Sequence, residues 1–133
     1  LPMRPIAADI IIIKDNSVLL VKRKNEPFKG MWAFPGGRLE ENETIEECAK
    51  RECMEETGLR VRLHRLIGVY SDPKRDPRKI VGVAFLCRIT GGKLKASDDA
   101  EEVRWFDVEK AKKMKLAFDH NKILMDALKR MKK

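Results

Sequence analysis

Long apolar segments are missing from this chain: runs such as residues 10–13 fall far short of the roughly 20 residues a membrane helix needs. No charged-then-apolar leader pattern is present, so neither a secreted nor a membrane-spanning product is expected. Cysteine is scarce, and Cys48, Cys53 and Cys87 form an odd set without metal-ligand spacing. That argues against a disulfide framework and a zinc site; the expectation is buried free thiols in a reducing cytoplasm. Aromatic residues make up only 6% of the chain and are not interleaved with a basic run, which speaks against a base-stacking nucleic-acid surface. Internal repeats and low-complexity stretches are absent.

Charge is what the chain has in abundance. Charged residues make up 38% of it, and 29 Lys and Arg against 21 Asp and Glu leave a net +8. Rich in lysine and glutamate and poor in glutamine, this composition suits a thermophile. The cationic excess favours an anionic partner. Much of it lies in residues 110–133, where Lys and Arg also suit a helix end electrostatically. A small phosphorylated metabolite is therefore favoured over nucleic acid, no membrane partner is expected, and a homodimer is compatible with the composition. With 133 residues at 43% apolar content, two cores would each be too small to offset the entropy of ordering, so residues 1–133 read as one domain.

Residues 6–13 are apolar and β-branched, Asp15-Asn16 supplies a turn, and residues 18–21 are apolar again, which is the pattern of a hairpin. Residues 24–37 carry Pro27, Gly30, Pro35, Gly36 and Gly37, enough breakers to make a loop with a short strand near residues 32–34. Thr44 with Glu47 forms a capping-box pattern, so a helix should start there, run to about Thr57 and stop at Gly58. Residues 61–70 and 80–89 read as strands around a loop, and a short strand at 103–106 follows. Ile123, Leu124, Ala127, Leu128 and Met131 trace the stripe of a second amphipathic helix. Two helices separated by several strands imply an α/β sandwich, a mixed sheet with a helix on each face.

The first helix contains an anomaly. At 100° per residue, Ile45, Cys48, Ala49 and Cys53 share one arc, and Glu52 and Glu56 fall inside it. Glu55 lies on its flank. Carboxylates crowded against an apolar face either take up protons or are neutralised by cations, and Mg²⁺ or Mn²⁺, which favour oxygen ligands and share them with phosphates, suit the cluster. A solvated face paired to lysines is the alternative for an isolated E-x-x-E-E.

The wider context decides between them. Gly37, Glu43, Arg51-Glu52, Glu55-Glu56 and Gly58-Leu59 reproduce the spacing G-x5-E-x7-R-E-U-x-E-E-x-G-U, with U aliphatic, over residues 37–59. This resembles the box of the Nudix hydrolases, and Trp32-Ala33-Phe34-Pro35-Gly36-Gly37 looks like the segment that leads into it. Cys53 alone departs, at a position usually aliphatic, where a thiol serves as a small hydrophobe. The resemblance implies an α/β/α sandwich and divalent-metal hydrolysis of a nucleoside diphosphate linkage. It also implies that Glu52 and Glu56 ligate metal, with Glu55 and the Gly36 carbonyl joining, while Arg51 and Glu43 orient them from behind. Metal ions would neutralise the diphosphate and activate a water for in-line attack. The general base would come from an acidic loop, with Asp99 the first choice, or from Glu55.

Outside the box, Pro73 lies fifteen residues beyond Gly58, a spacing similar to that in the family's ADP-ribose pyrophosphatases. The settings of residues 71–78, 26–30 and 118–120 resemble theirs as well. ADP-ribose is therefore the leading expected substrate, with Arg23 or Arg78 holding phosphate, Phe28 meeting the base and Pro73 marking the binding loop. Nucleoside triphosphates, dinucleotides and RNA ends are the alternatives, and a nucleotide-sensing module without catalysis is a further one. His120 is left outside the catalytic set.

Overall fold

The computed structural model describes residues 3–95 and 102–132. Strand β1 (Ile6–Lys14) turns into β2 (Ser17–Lys22) through Asp15 and Asn16, whose φ angles of 50° and 65° give the primed turn that matches strand twist. Strands β3 (Trp32–Ala33) and β4 (Gly36–Arg38) precede helix α1 (Ile45–Thr57). Then come the long strands β5 (Leu59–Tyr70) and β6 (Val81–Gly92), β7 (Val103–Asp107), and helices α2 (Val108–Lys113) and α3 (His120–Met131). The sheet order is β3-β2-β1-β6-β5, with β4 paired to β1 and β7 to β2. β1 runs parallel to β6, and the other pairings are antiparallel.

Alternation along β1 divides the core into two layers. Ala8, Ile10 and Ile12 pack with Cys48, Ala49 and Cys53 of α1, whereas Ile11 packs with Ile123, Leu124 and Ala127 of α3. Each fully buried Ile or Leu contributes about 1.5–3 kcal/mol. This is the α/β/α sandwich expected. Thr44 and Glu47 form the reciprocal capping box, and Gly58 closes α1 with φ 79° while its amide donates to the Met54 carbonyl.

Two elements depart from expectation. The helices number three among the described residues, not two, because α2 joins α3 on the same face; its six residues, Val-Glu-Lys-Ala-Lys-Lys, bury only Val108 and Ala111 and are too few to show a stripe. β4 is likewise a strand where a loop was expected, since it is recruited by β1.

That recruitment builds the site. β1 changes partner midway: Ala7, Ala8 and Asp9 pair with β4, whereas Ile13 and Lys14 pair with β2. Pro35 bridges the break, its carbonyl accepting from the Ile10 amide at 2.8 Å. The chain from Ala33 to Gly36 therefore crosses a split in the sheet, and the end of α1 points at it.

Candidate active site

Glu56, on the last turn of α1, accepts a hydrogen bond from the Gly36 amide at 2.7 Å. One turn earlier, Glu52 lies against Gly37 so closely that a β-carbon there would overlap its carboxylate. Glycine at 37 thus gives the carboxylate its place. Both glutamates are half-buried on the core side of α1, as the helical arc required. Burial pushes the Glu52 carboxyl above the usual range, and it raises Glu56 to about 7, partly offset by the Gly36 amide.

Arg51 ties the cluster together. Its Nε and Nη2 grip Glu43 at 2.9 and 2.7 Å, Nη2 also donates to the Arg38 carbonyl at 3.0 Å, and Nη1 lies 3.3 Å from Glu52 and Glu55. This bidentate pair holds the Glu43 carboxyl down at about 2. Glu55 is exposed and lines a cavity of about 360 Å³ with Glu56, Gly36, Arg23 and Lys95. Asp99 lies outside the described residues.

Across the split, Asp9 is buried at the pairing break, and burial raises it to about 7 against the lowering field of Arg75. His120 Nε2 faces it at 3.7 Å, while His120 Nδ1 accepts from the Phe34 amide at 3.0 Å, which fixes the tautomer. Burial, then Arg75 and Arg23, depress His120 to about 3, so it is neutral.

A second cavity of about 220 Å³ adjoins here, lined by Asp9, Arg23, Arg75, Arg78, Phe118 and His120 among others. Three guanidinium groups approach the Phe118 ring, those of Arg23, Arg78 and Arg75 at 4.8, 5.6 and 6.0 Å from its centroid. Arg75 is bound bidentately by Asp119, and Arg78 by Asp76. Arg23 instead donates to the carbonyls of Pro27 and Asn25 and, among the described residues, makes no ion pair within 4.0 Å; it lines both cavities. Phe28 packs edge-on against Phe118, 4.8 Å between centroids.

Of the expected residues, the structure brings Gly36, Glu43, Arg51, Glu52, Glu55 and Glu56 into one constellation and Arg23 and Arg78 onto the wall of the adjoining cavity, while Phe28 lines neither cavity and reaches the second only through its contact with Phe118. Pro73 it does not bring in: the residue is exposed, lines neither cavity, and its carbonyl accepts from Lys79. Asp9 went unread. Its signal was the same as that of Glu52 and Glu56, a carboxylate at a buried position of an apolar element.

Among the described residues, no three carboxylates, imidazoles or thiols alone enclose a metal position. The donor set nonetheless suits a hard divalent ion. Two half-buried carboxylates are held in place by a backbone amide and a missing β-carbon, and burial, with a smaller contribution from neighbouring carboxylates, raises their proton affinity. Such ions complete their sphere with carbonyls, waters and substrate phosphates.

A split sheet crossed by a glycine pair, with a capped helix delivering glutamates into it, is the Nudix architecture. The family model for the NUDIX domain matches residues 3–127, and the chain belongs to that family. It is 52% identical over 122 residues to an ADP-ribose pyrophosphatase of Methanocaldococcus jannaschii, covering 91% of this chain and 71% of that protein. The solved MutT/nudix family protein from Enterococcus faecalis matches with a TM-score of 0.82 at 32% identity, over 98% of this chain and 63% of that one. The NUDIX domain of Shewanella oneidensis NrtR, solved with ADP ribose, matches at 0.79 and 26% identity, over 98% and 90%. The chain thus spans less than two thirds of the Enterococcus protein. Nudix hydrolases are generally divalent-metal dependent. No helix among the described residues is long and apolar enough to cross a membrane.

Proposed function

We propose that residues 1–133 act as one cytoplasmic catalytic domain that hydrolyses ADP-ribose to AMP and ribose 5-phosphate. The observation that carries this reading is the placement of Glu52 and Glu56 at the split, with Arg23 facing the same cavity and lacking an ion-pair partner among the described residues. The archaeal relative named for ADP-ribose pyrophosphatase and the NrtR domain holding ADP ribose support the ligand class.

Glu52, Glu56, Glu55 and the Gly36 carbonyl would hold Mg²⁺ or Mn²⁺, which when bound neutralises the diphosphate and activates water. Arg51, anchored on Glu43, keeps the glutamates in position. Arg23 and Arg78 bind the diphosphate, and Phe28 meets the adenine. Water adds to one phosphorus, the bridging oxygen leaves with the other phosphate, and the water proton passes to Asp99 or, failing that, to Glu55. Pro73 marks the loop that carries Arg75, Asp76 and Arg78 to the cavity and acts through that loop's course.

Purified protein with Mg²⁺ should turn over ADP-ribose faster than nucleoside triphosphates and dinucleotides, with AMP and ribose 5-phosphate identified as products. Triphosphates turning over far faster would reject the substrate assignment. Binding of ADP-ribose without any hydrolysis would support a sensing module instead.

A further inference from the structure

The opposite end of the sheet carries a second concentration of charge, all of one sign. On the α3 side of the sheet, Arg62 of β5 and Arg88 of β6 are direct cross-strand partners. Arg88 Nη2 lies 3.2 Å from His64 Nε2, and Arg65 Nη1 donates to the Arg130 carbonyl in the last turn of α3 at 2.8 Å. Beside them opens a cavity of about 510 Å³, with Lys14, His64, Arg65, Arg88 and Arg130 on its walls and Ile13 and Leu86 among its apolar lining.

No carboxylate lines this cavity, and it shares no lining residue with the two cavities at the split. Among the described residues, none of Lys14, Arg62, Arg65, Arg88 and Arg130 makes an ion pair within 4.0 Å. Like charges directly opposite on neighbouring strands are destabilising, so the fold carries a cost here that a ligand would relieve. The field is felt at His64, whose proton affinity is lowered first by Arg88 and, after burial, by Arg62 and Arg65.

We propose that this cavity is a second anion site, which binds the phosphate groups of a phosphodiester strand or a polyphosphate. Guanidinium groups match phosphate oxygens bidentately, and the volume lies in the range of ligand pockets, about 300–1,000 Å³. No Phe, Tyr or Trp lines it and His64 is its one imidazole, so its chemistry is weighted to phosphates over bases. This site stands apart from the hydrolytic reading and does not depend on it.

The test measures binding to the intact protein in the presence of a chelator, which removes metal-bridged binding and turnover. The probes are a fluorescein-labelled ten-nucleotide oligouridylate, followed by anisotropy, and inorganic tripolyphosphate, followed by calorimetry. Arg88→Gln/Arg130→Gln, which removes two guanidinium groups from the cavity wall, should weaken binding at least tenfold and make the salt dependence of the RNA arm shallower by about 1–2 in log–log slope, given roughly 0.7 per phosphate contact. The control, Lys113→Gln/Lys115→Gln, carries the same net charge and should retain wild-type affinity and slope. Binding of RNA alone identifies a phosphodiester strand, and competition by tripolyphosphate identifies a free polyphosphate; either supports the site. Neither probe binding the wild type, or both double variants losing affinity alike, overturns it.

Discussion

The two helical layers of this molecule meet the same sheet in opposite ways. α3 covers its side with volume: Ile123, Leu124 and Ala127 are fully buried, and Lys122, Lys129 and Arg130 lie outward. α1 covers the other with small groups, Cys48, Ala49 and Cys53, and spends two positions of its inner arc on Glu52 and Glu56. Small side chains bring the α1 backbone close to the sheet, which lets the glutamates reach Gly36 and Gly37. On the proposed function, α3 supplies stability and α1 supplies chemistry, at some expense to its own packing.

The comparison breaks first, and most severely, at Glu56. Glu56→Gln keeps the volume and the acceptor for the Gly36 amide but removes the anionic oxygen. Turnover should fall on the order of a hundredfold or more, with thermal stability unchanged or slightly higher, because burial already disfavours this carboxylate. The measurement is steady-state hydrolysis beside a melting curve. A folded variant with near-normal activity would refute the role of α1.

Leu124→Ala is the mirror experiment. Removing a fully buried leucine from α3 should cost about 2–5 kcal/mol of unfolding free energy in urea, while kcat/KM per folded molecule stays close to wild type. An activity loss without loss of stability would mean that α3 takes part in the chemistry and that the division between the layers is false.

That division was legible in the sequence for α1 and only half so for the rest. The capping box, Gly58 and the placement of Glu52 and Glu56 depend on neighbours within one helix, where periodicity reaches them. The cavity across the split does not: Arg75 meets Asp119 forty-four residues away, and three arginines gather on Phe118 from two separate segments. No local pattern brings such groups together. β4 is a strand only because β1 changes partners at Asp9, and Pro73 shares its spacing with a family feature while its side chain stays outside both cavities. The basic cavity at the opposite end of the sheet is hidden for a similar reason, since Arg65, Arg88 and Arg130 are far apart in the chain.

His120 is where the two layers touch, and it gives the smallest expected effect. It begins α3, yet it holds the Phe34 amide and faces Asp9 at the split. Its folded proton affinity is depressed from 6.5 to about 3, so between those values the unfolded chain binds a proton that the folded protein refuses. The resulting stability is fully present above pH 6.5 and is lost as pH falls toward 3. His120→Asn retains an acceptor for Phe34 but cannot titrate. On acidification from pH 6.5 to 4.5 its unfolding free energy should therefore fall less steeply than that of wild type, by at most one proton in the linkage slope. Asp9, raised to about 7, works in the opposite sense, since it releases a proton on unfolding, and it is present in both proteins. Urea titrations at pH 4.5, 5.5 and 6.5 read the difference directly. Parallel slopes would show that His120 is already protonated in the folded state, paired with an ionised Asp9, and that α3 carries charge into the split after all.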